Sequence, residues 1–155
     1  MKPAIHEAAP TTKDFAHATA VHLHRVTYMM DKLGERVLQD KHSLTLSQFF
    51  LLMQMTEQRA CQRELADALS VTPAAISRHV AVLMKRGYLQ RLPHESDRRY
   101  GYVAITPAGR TAFRDAETSL NAFFTEKYSQ LSAREKAEIS RSLNRLMDCF
   151  GCENK

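Results

Sequence analysis

The sequence predicts a mainly α-helical protein that carries one small β-hairpin near its middle. Most of the glycines and prolines lie between residues 73 and 109, and the chain on either side of that region has the composition of helices. Within it, residues 88–92 and 102–106 form two short alternating runs, separated by a segment with a proline, a glycine and several charges. Two such runs around a polar segment are typical of strands joined by a loop.

The totals favour one compact domain, or one small domain with helical extensions. The 155 residues are 44% hydrophobic and 25% charged, which fits a globular protein and not a disordered one. No apolar run approaches the roughly 18 residues of a membrane span, and the N-terminus lacks the pattern of a signal peptide. We therefore expect a cytoplasmic protein without a membrane partner.

The first helix is predicted over residues 13–40, which contain one glycine and no proline. An apolar stripe repeats along it at helical spacing, formed by Val26, Met30, Leu33 and Val37. A helix of this length exceeds what a small core can cover. We expect part of it to pack against something else.

The stretch LTLSQF begins a second helix. Thr45 and Gln48 have the spacing of a capping box, and Leu44 and Phe49 occupy the positions of a hydrophobic staple. The following stretch QRELADAL predicts a short helix that buries Leu65, Ala66 and Leu69.

The next helix begins after Thr72, a natural N-cap, with Pro73 suited to the first helical position. It ends at Gly87, after two basic residues that suit the negative end of a helix. The predicted inward stripe is Ile76, Val80 and Leu83.

Two more helices follow the hairpin. Thr106 and the proline after it open a helix over residues 107–128, and Ser132 with Glu135 makes a capping box for the last one. That helix carries an apolar side made of Ile139, Leu143, Leu146 and Phe150. A helix-turn-helix followed directly by a hairpin is the winged-helix arrangement.

The four-residue turn LSVT leaves one face of the helix after Thr72 free. A helix that enters the major groove of DNA needs small residues for close approach, with hydroxyls and arginine to reach bases or phosphates. Arg78 could pair bidentately with guanine, and Thr72 lies where a helix N-terminus favours a phosphate. The predicted reading face is Thr72, Ala75, Arg78 and His79, with Ser77 at its edge.

Two alternatives stay open for this helix. It could be an ordinary amphipathic surface helix, or the winged helix could contact another protein. The protein-interaction module predicts an acidic or apolar face over residues 73–86, and Arg78 and His79 argue against that.

The tip of the hairpin is rich in charge. Residues 61–102 hold seven Lys and Arg against four Asp and Glu, which is +3 of the total net charge of +5. We expect Arg98 and Arg99 to reach the minor groove or its phosphates, and Asp97 to orient either Arg99 or Arg86. The alternative is a solvated turn whose charges keep an edge hairpin soluble.

Three stretches, LTLSQFFLL, RELADALSVTPAAISRHVAVLMKRGYLQR and DRRYGYVAITPAGR, resemble the MarR family of bacterial transcription regulators over about residues 44–110. The resemblance implies a homodimer whose first and last helices intertwine. It divides the chain into a tail and dimerisation helix (1–40), a winged helix-turn-helix domain (41–106) and C-terminal dimerisation helices (107–155). It also implies a repressor, occasionally an activator, whose two recognition helices enter successive major grooves of a pseudo-palindromic operator about 34 Å apart.

Many members of the family release DNA when a small, often aromatic or phenolic, anion binds between the dimerisation helices and the winged helix. His24, Tyr28 and Phe49 are the candidates to line such a pocket here. The alternative is a filled core with a histidine that reaches the surface.

A thiol switch is a second alternative, because Cys149 and Cys152 form a C-x-x-C pair. The pair lies at a helix end, and Cys61 is expected to be structural. His17 and His24 could share a helix face, but residues 107–128 supply no histidine-rich partner, so no metal site is expected. Without a phosphate loop, a nucleophile elbow or paired acids, we expect neither catalytic residues nor a cofactor.

Overall fold

The computed structural model describes residues 11–55, 60–92 and 102–151. It confirms the mainly α-helical fold with a small antiparallel sheet. The described elements, in chain order, are α1 (Thr12–His42), α2 (Leu46–Gln54), β1 (Ala60–Cys61), α3 (Gln62–Ala68), α4 (Pro73–Lys85), β2 (Leu89–Leu92), β3 (Tyr102–Ile105), α5 (Pro107–Tyr128) and α6 (Ala133–Cys149).

Local hydrogen bonds set the predicted helix starts. Both predicted capping boxes are present, with Thr45 and Ser132 each accepting from the backbone N–H three residues later. Thr72 and Thr106 are N-caps with proline in the first turn, as predicted. Gly87 follows the C-cap of α4 and has a positive φ of 73°. Glycine adopts this conformation without steric cost.

The sheet contains a third strand that the alternating runs did not predict. Its order is β1-β3-β2, and both neighbours of β3 run antiparallel to it. Cys61 in β1 pairs with Tyr102, and Leu92 pairs with Tyr102 from the other side. The first strand therefore ties the start of α3 to the base of the hairpin.

One core joins the C-terminal third of α1 to α2, α3, α4, the sheet and α5. Its largest fully buried side chains are Leu38, Leu44, Leu51, Leu52, Met55, Leu65, Ile76, Leu83, Val80 and Val103. Only the C-terminal end of the predicted apolar stripe on α1 packs into this core. Val37 is buried, whereas Val26 is 56% exposed. Within the described chain, α6 contains no buried residue at all.

None of the helices in 11–55, 60–92 and 102–151 combines the length and apolar character that a membrane span requires.

Candidate nucleic-acid interface

Three buried side chains fix the orientation of α4. Ile76 and Val80 are each 1% exposed and Leu83 is fully buried, so the face predicted to point inward does so. The turn from α3 holds the helix across its neighbour. In that turn Ser70 has a φ of 52°, and the N–H of Val71 donates to the carbonyl of Ala66 at 3.0 Å. The opposite face of α4 is thereby presented outward.

The exposed face of α4 only partly matches the predicted reading residues. Thr72, Ser77 and Arg78 are exposed as expected, whereas Ala75 and His79 are half-buried at the border of the face. The predicted reading face did not include five further exposed positions of α4, Pro73, Ala74, Ala81, Val82 and Lys85. The 3.6-residue period, projected from the buried stripe, would have placed Ala74, Ala81 and Lys85 beside Arg78.

The chemistry of this face suits a polyanion. The sequence of α4 contains no acidic residue, and Arg78 and Lys85 lie on it with alanines between and before them. Small residues let a helix backbone approach the groove, while the two cations can reach base edges or phosphates. The exposed face of α4 can therefore come close to a DNA groove, and it carries positive charge.

Thr72 has a structural role as well as its predicted one. Its hydroxyl oxygen accepts the backbone N–H of Ala75 at 3.2 Å, which satisfies one of the free donors at the start of α4. The hydroxyl can still donate its own hydrogen, so capping and a phosphate contact are compatible.

The predicted tip of the wing lies outside the described residues. This holds for Arg98 and Arg99, and for Asp97 as their orienting partner, so all three remain predictions. In the described part of the hairpin, Arg91 is exposed on β2 and pairs in register with Val103. The base of the wing thus carries one described cation.

Arg86, the other arginine that Asp97 was predicted to orient, makes several contacts within the described residues. Its Nη1 donates to the carbonyl of Ser43 at 2.7 Å and its Nη2 to the carbonyl of His42 at 3.0 Å. The guanidinium carbon also lies 4.8 Å from the ring centroid of Tyr88. The end of α4 is therefore connected to the end of α1.

The three candidate effector residues lie in different environments. His24 and Tyr28 are exposed on α1, whereas Phe49 is buried and stacks on Phe113 with ring centroids 5.2 Å apart. Phe49 thus fills the core, as the alternative had it, and the effector pocket stays a prediction. An open apolar groove of about 550 Å³ runs beside α1 without these three, lined by His22, Arg25, Val26, Met29, Met30, Leu33, Phe124, Lys127 and Tyr128.

Two of the three cysteines lie within the described residues. Cys149 is exposed at the end of α6, and Cys152 falls outside the described ranges. Cys61 is the N-cap of α3, where its Sγ accepts from the N–H of Glu64 at 3.5 Å and its own N–H donates to the Glu64 carboxylate at 2.8 Å. Among the residues that the structure describes, no three His, Cys, Asp or Glu side chains are grouped to hold a metal ion.

Comparison with known proteins places this geometry in a family. Residues 44–100 match the model of the MarR family. An uncharacterized HTH-type transcriptional regulator of Bacillus cereus is 30% identical over 116 residues, which cover 74% of this chain and 76% of the relative. The chain belongs to the MarR family. MarR-family members are transcription regulators and not enzymes, which confirms the class expected from the sequence.

Two solved structures extend the likeness to most of the chain. The multiple antibiotic resistance repressor, MarR, is 25% identical with a TM-score of 0.74, covering 83% of this chain and 94% of that chain. A mutant MarR from E. coli complexed with operator DNA is also 25% identical, with a TM-score of 0.65 and coverage of 83% and 96%. This chain is thus a winged-helix, DNA-binding transcription regulator of the MarR family.

Proposed function

We propose that this MarR-family regulator is a cytoplasmic repressor that binds a pseudo-palindromic operator as a homodimer. The observation that carries the proposal is the exposed, acid-free face of α4, on which Arg78 and Lys85 alternate with alanines. The solved relatives support it, since one is described as a repressor and another is complexed with operator DNA. A dimer bound to its operator would repress by blocking access to the promoter.

In the proposed complex, α4 reads the major groove. Arg78 at the centre of the exposed face forms the bidentate contact with guanine, and Lys85 contacts a phosphate near the C-terminal end of the helix. Ala74 and Ala81 bring the backbone close to the base edges. The predicted residues Thr72, Ala75, Ser77 and His79 contribute from the helix start and from the border of the face.

The wing contributes positive charge on the flank of the site. Arg98 and Arg99 enter the minor groove or contact its phosphates, and Asp97 orients either Arg99 or Arg86. Arg91 lies on the described base of the same hairpin.

The apolar surface left open by one chain supports the homodimer. Val26 on α1 is 56% exposed, Leu143 on α6 is 42% exposed, and Phe150 after α6 is 78% exposed. A second groove, of about 470 Å³, lies between α1 and α6 and is lined by Leu23, Ser140, Leu143, Asn144, Leu146, Met147 and Phe150. A helix with no buried side chain gains little from its own chain, since most helical stability comes from tertiary packing. A second copy would cover these faces.

Release from DNA by a small aromatic or phenolic anion belongs to the same proposal. His24 and Tyr28 are exposed on α1 and available to a ligand at the dimer surface. Phe49 would take part only by moving out of its stack on Phe113.

Selection from a random duplex library tests the function without knowledge of the operator. The expected product is an enriched inverted repeat whose half-sites are centred about one helical turn apart. Recovery of unrelated sequences, with binding that salt removes equally from all of them, would contradict sequence-specific regulation.

A further inference from the structure

The side chain of Arg86 joins the recognition helix to the longest helix of the protein. Arg86 is the C-cap residue of α4, and its two terminal nitrogens donate to the carbonyls of Ser43 and His42 at 2.7 and 3.0 Å. These carbonyls belong to the last residue of α1, His42, and to its C-cap, Ser43. Ser43 adopts the left-handed conformation with a φ of 52°. The contact therefore links two helix ends that lie more than 40 positions apart in the sequence.

The chemistry of this contact favours a fixed geometry. The last carbonyls of a helix lack partners within it and carry partial negative charge. A guanidinium is planar and presents its N–H groups as a rigid fork, so two bonds fix both distance and orientation. The ring of Tyr88, 4.8 Å from the guanidinium carbon, holds the fork from one side.

The start of α5 is fastened to the same place. The hydroxyl of Thr106 donates to the carbonyl of Gly87 at 2.6 Å, one residue after Arg86. The ring Nε2 of His42 lies 2.9 Å from the hydroxyl of Ser119 on α5. The chain around the end of α4 is therefore bonded to the start of α5 through Thr106, the end of α1 is bonded to the middle of α5 through His42, and Arg86 makes the link between α4 and α1.

We infer that Arg86 is a positioning residue that sets the spacing of the two half-sites in the operator. The inference rests on the proposed function, because the spacing exists only for a dimer on DNA. By fixing the angle between α4 and α1, Arg86 would fix the distance between the two recognition helices once α1 helices associate.

The magnitude of the effect follows from the length of α4. Its 13 residues span about 20 Å at roughly 1.5 Å per residue. A rotation of about 10° at the joint moves the far end of α4 by roughly 3.4 Å, close to the rise of about 3.4 Å per base pair. A change of this size in the angle at Arg86 thus corresponds to about one base pair of spacing.

Selection of binding sites by variants tests this role. Arg86→Met keeps the length and apolar stem of the side chain but removes the donors. Arg114→Ala is the matched control, because Arg114 is an exposed arginine on α5 whose Nε donates within its own helix to the carbonyl of Arg110. We expect the wild type and the control to select one half-site spacing. We expect Arg86→Met to select the same half-site sequence over a range of about three spacings.

A second variant keeps the test decisive if Arg86→Met does not fold, as judged by circular dichroism. Arg86→Lys retains the charge, but a single ammonium does not impose the planar fork, so it should broaden the spacing as well. A folded variant that selects the wild-type spacing as narrowly as the control would overturn the inference. If the wild type itself selects no paired half-sites, the proposed function is wrong. That outcome differs from a failure of the role of Arg86, in which the wild type selects paired half-sites and the variant matches it.

Discussion

Gly109 lies directly against the backbone carbonyl of Tyr88. A Cβ atom added at Gly109 would lie 2.2 Å from the Tyr88 oxygen and 2.9 Å from Cγ1 of Ile105. Thr106 completes the arrangement, since its hydroxyl accepts the N–H of Gly109 at 3.0 Å and donates to the carbonyl of Gly87 at 2.6 Å. The Thr-x-x-Gly spacing therefore has a physical reason, because the first turn of α5 rests on the start of β2.

Gly109→Ala should destabilise the protein by about 1–3 kcal/mol, because backbone must shift to admit the methyl group. Chemical denaturation measures this free energy of unfolding. Gly34→Ala is the matched control, since its Cβ would meet Leu120 and Leu46 at ordinary distances of 3.6 and 3.7 Å. In the middle of a helix this change should stabilise by roughly 0.5–1 kcal/mol. Equal changes in the free energy of unfolding for Gly109→Ala and Gly34→Ala would contradict the close approach of Gly109 to the Tyr88 carbonyl.

The capping box of α6 should give the protein a defined response to acid. The hydroxyl and the N–H of Ser132 donate to the Glu135 carboxylate at 2.7 and 2.8 Å, which lowers the pKa of Glu135 below its ordinary value of 4.5. Because the folded pKa is the lower one, the carboxylate stabilises the fold above the pKa of the unfolded chain. That contribution is lost as the pH falls through the folded value.

Ser132→Ala should therefore raise the pKa of Glu135, as followed by NMR of its carboxyl carbon. Ser142→Ala removes a hydroxyl from the same helix two turns away and should leave that pKa where it was. An unchanged titration of Glu135 in the Ser132 variant would show that the capping box does not form.

Arg78→Ala should weaken specific DNA binding by about 1–3 kcal/mol and relax the preference for one base. The reason is the loss of a bidentate contact at the centre of the exposed face of α4. Titrations of selected and random duplexes measure the effect, with Arg114→Ala as a control for the loss of one positive charge. If Arg78→Ala weakens both duplexes equally, Arg78 contacts a phosphate and does not read a base.

Leu143→Asp should weaken association of two chains at least about tenfold, because a carboxylate would enter an apolar interface. Sedimentation at a series of concentrations measures this. Ala137→Asp adds the same carboxylate to the same helix, away from the stripe of Ile139, Leu143, Leu146 and Phe150, and should leave association intact. Both variants should leave the single chain folded, because α6 carries no buried residue within the described chain. Equal sedimentation of the two variants would place the dimer contact elsewhere.

The elements that the sequence predicted well are those fixed by bonds within a few residues. Thr45, Thr72, Thr106 and Ser132 each cap a helix through the N–H three residues later, so short patterns contain the information. The alternation pattern did not predict β1, because two residues carry no alternation and the pairing with Tyr102 and Val103 is a long-range contact; only the family resemblance indicated a strand residue at Cys61.

The exposed face of α4 was predictable only in part. Helical periodicity identified the outward face around Arg78, but His79 is half-buried because it lies nearer the inward stripe than Lys85 does. The contact of Arg86 with the carbonyls of His42 and Ser43 could not be predicted, since it depends on how α1 and α4 pack. Phe49 was similarly ambiguous, because a core aromatic and a pocket aromatic have the same sequence pattern.

This chain should recognise one specific operator. Fluorescence anisotropy on duplex DNA from upstream of its own gene, against a scrambled duplex at several salt concentrations, tests this recognition directly. We expect saturable binding to the upstream duplex at a concentration about 1,000-fold or more below that for the scrambled one. Equal affinity for both duplexes, lost in parallel as salt is raised, would contradict it.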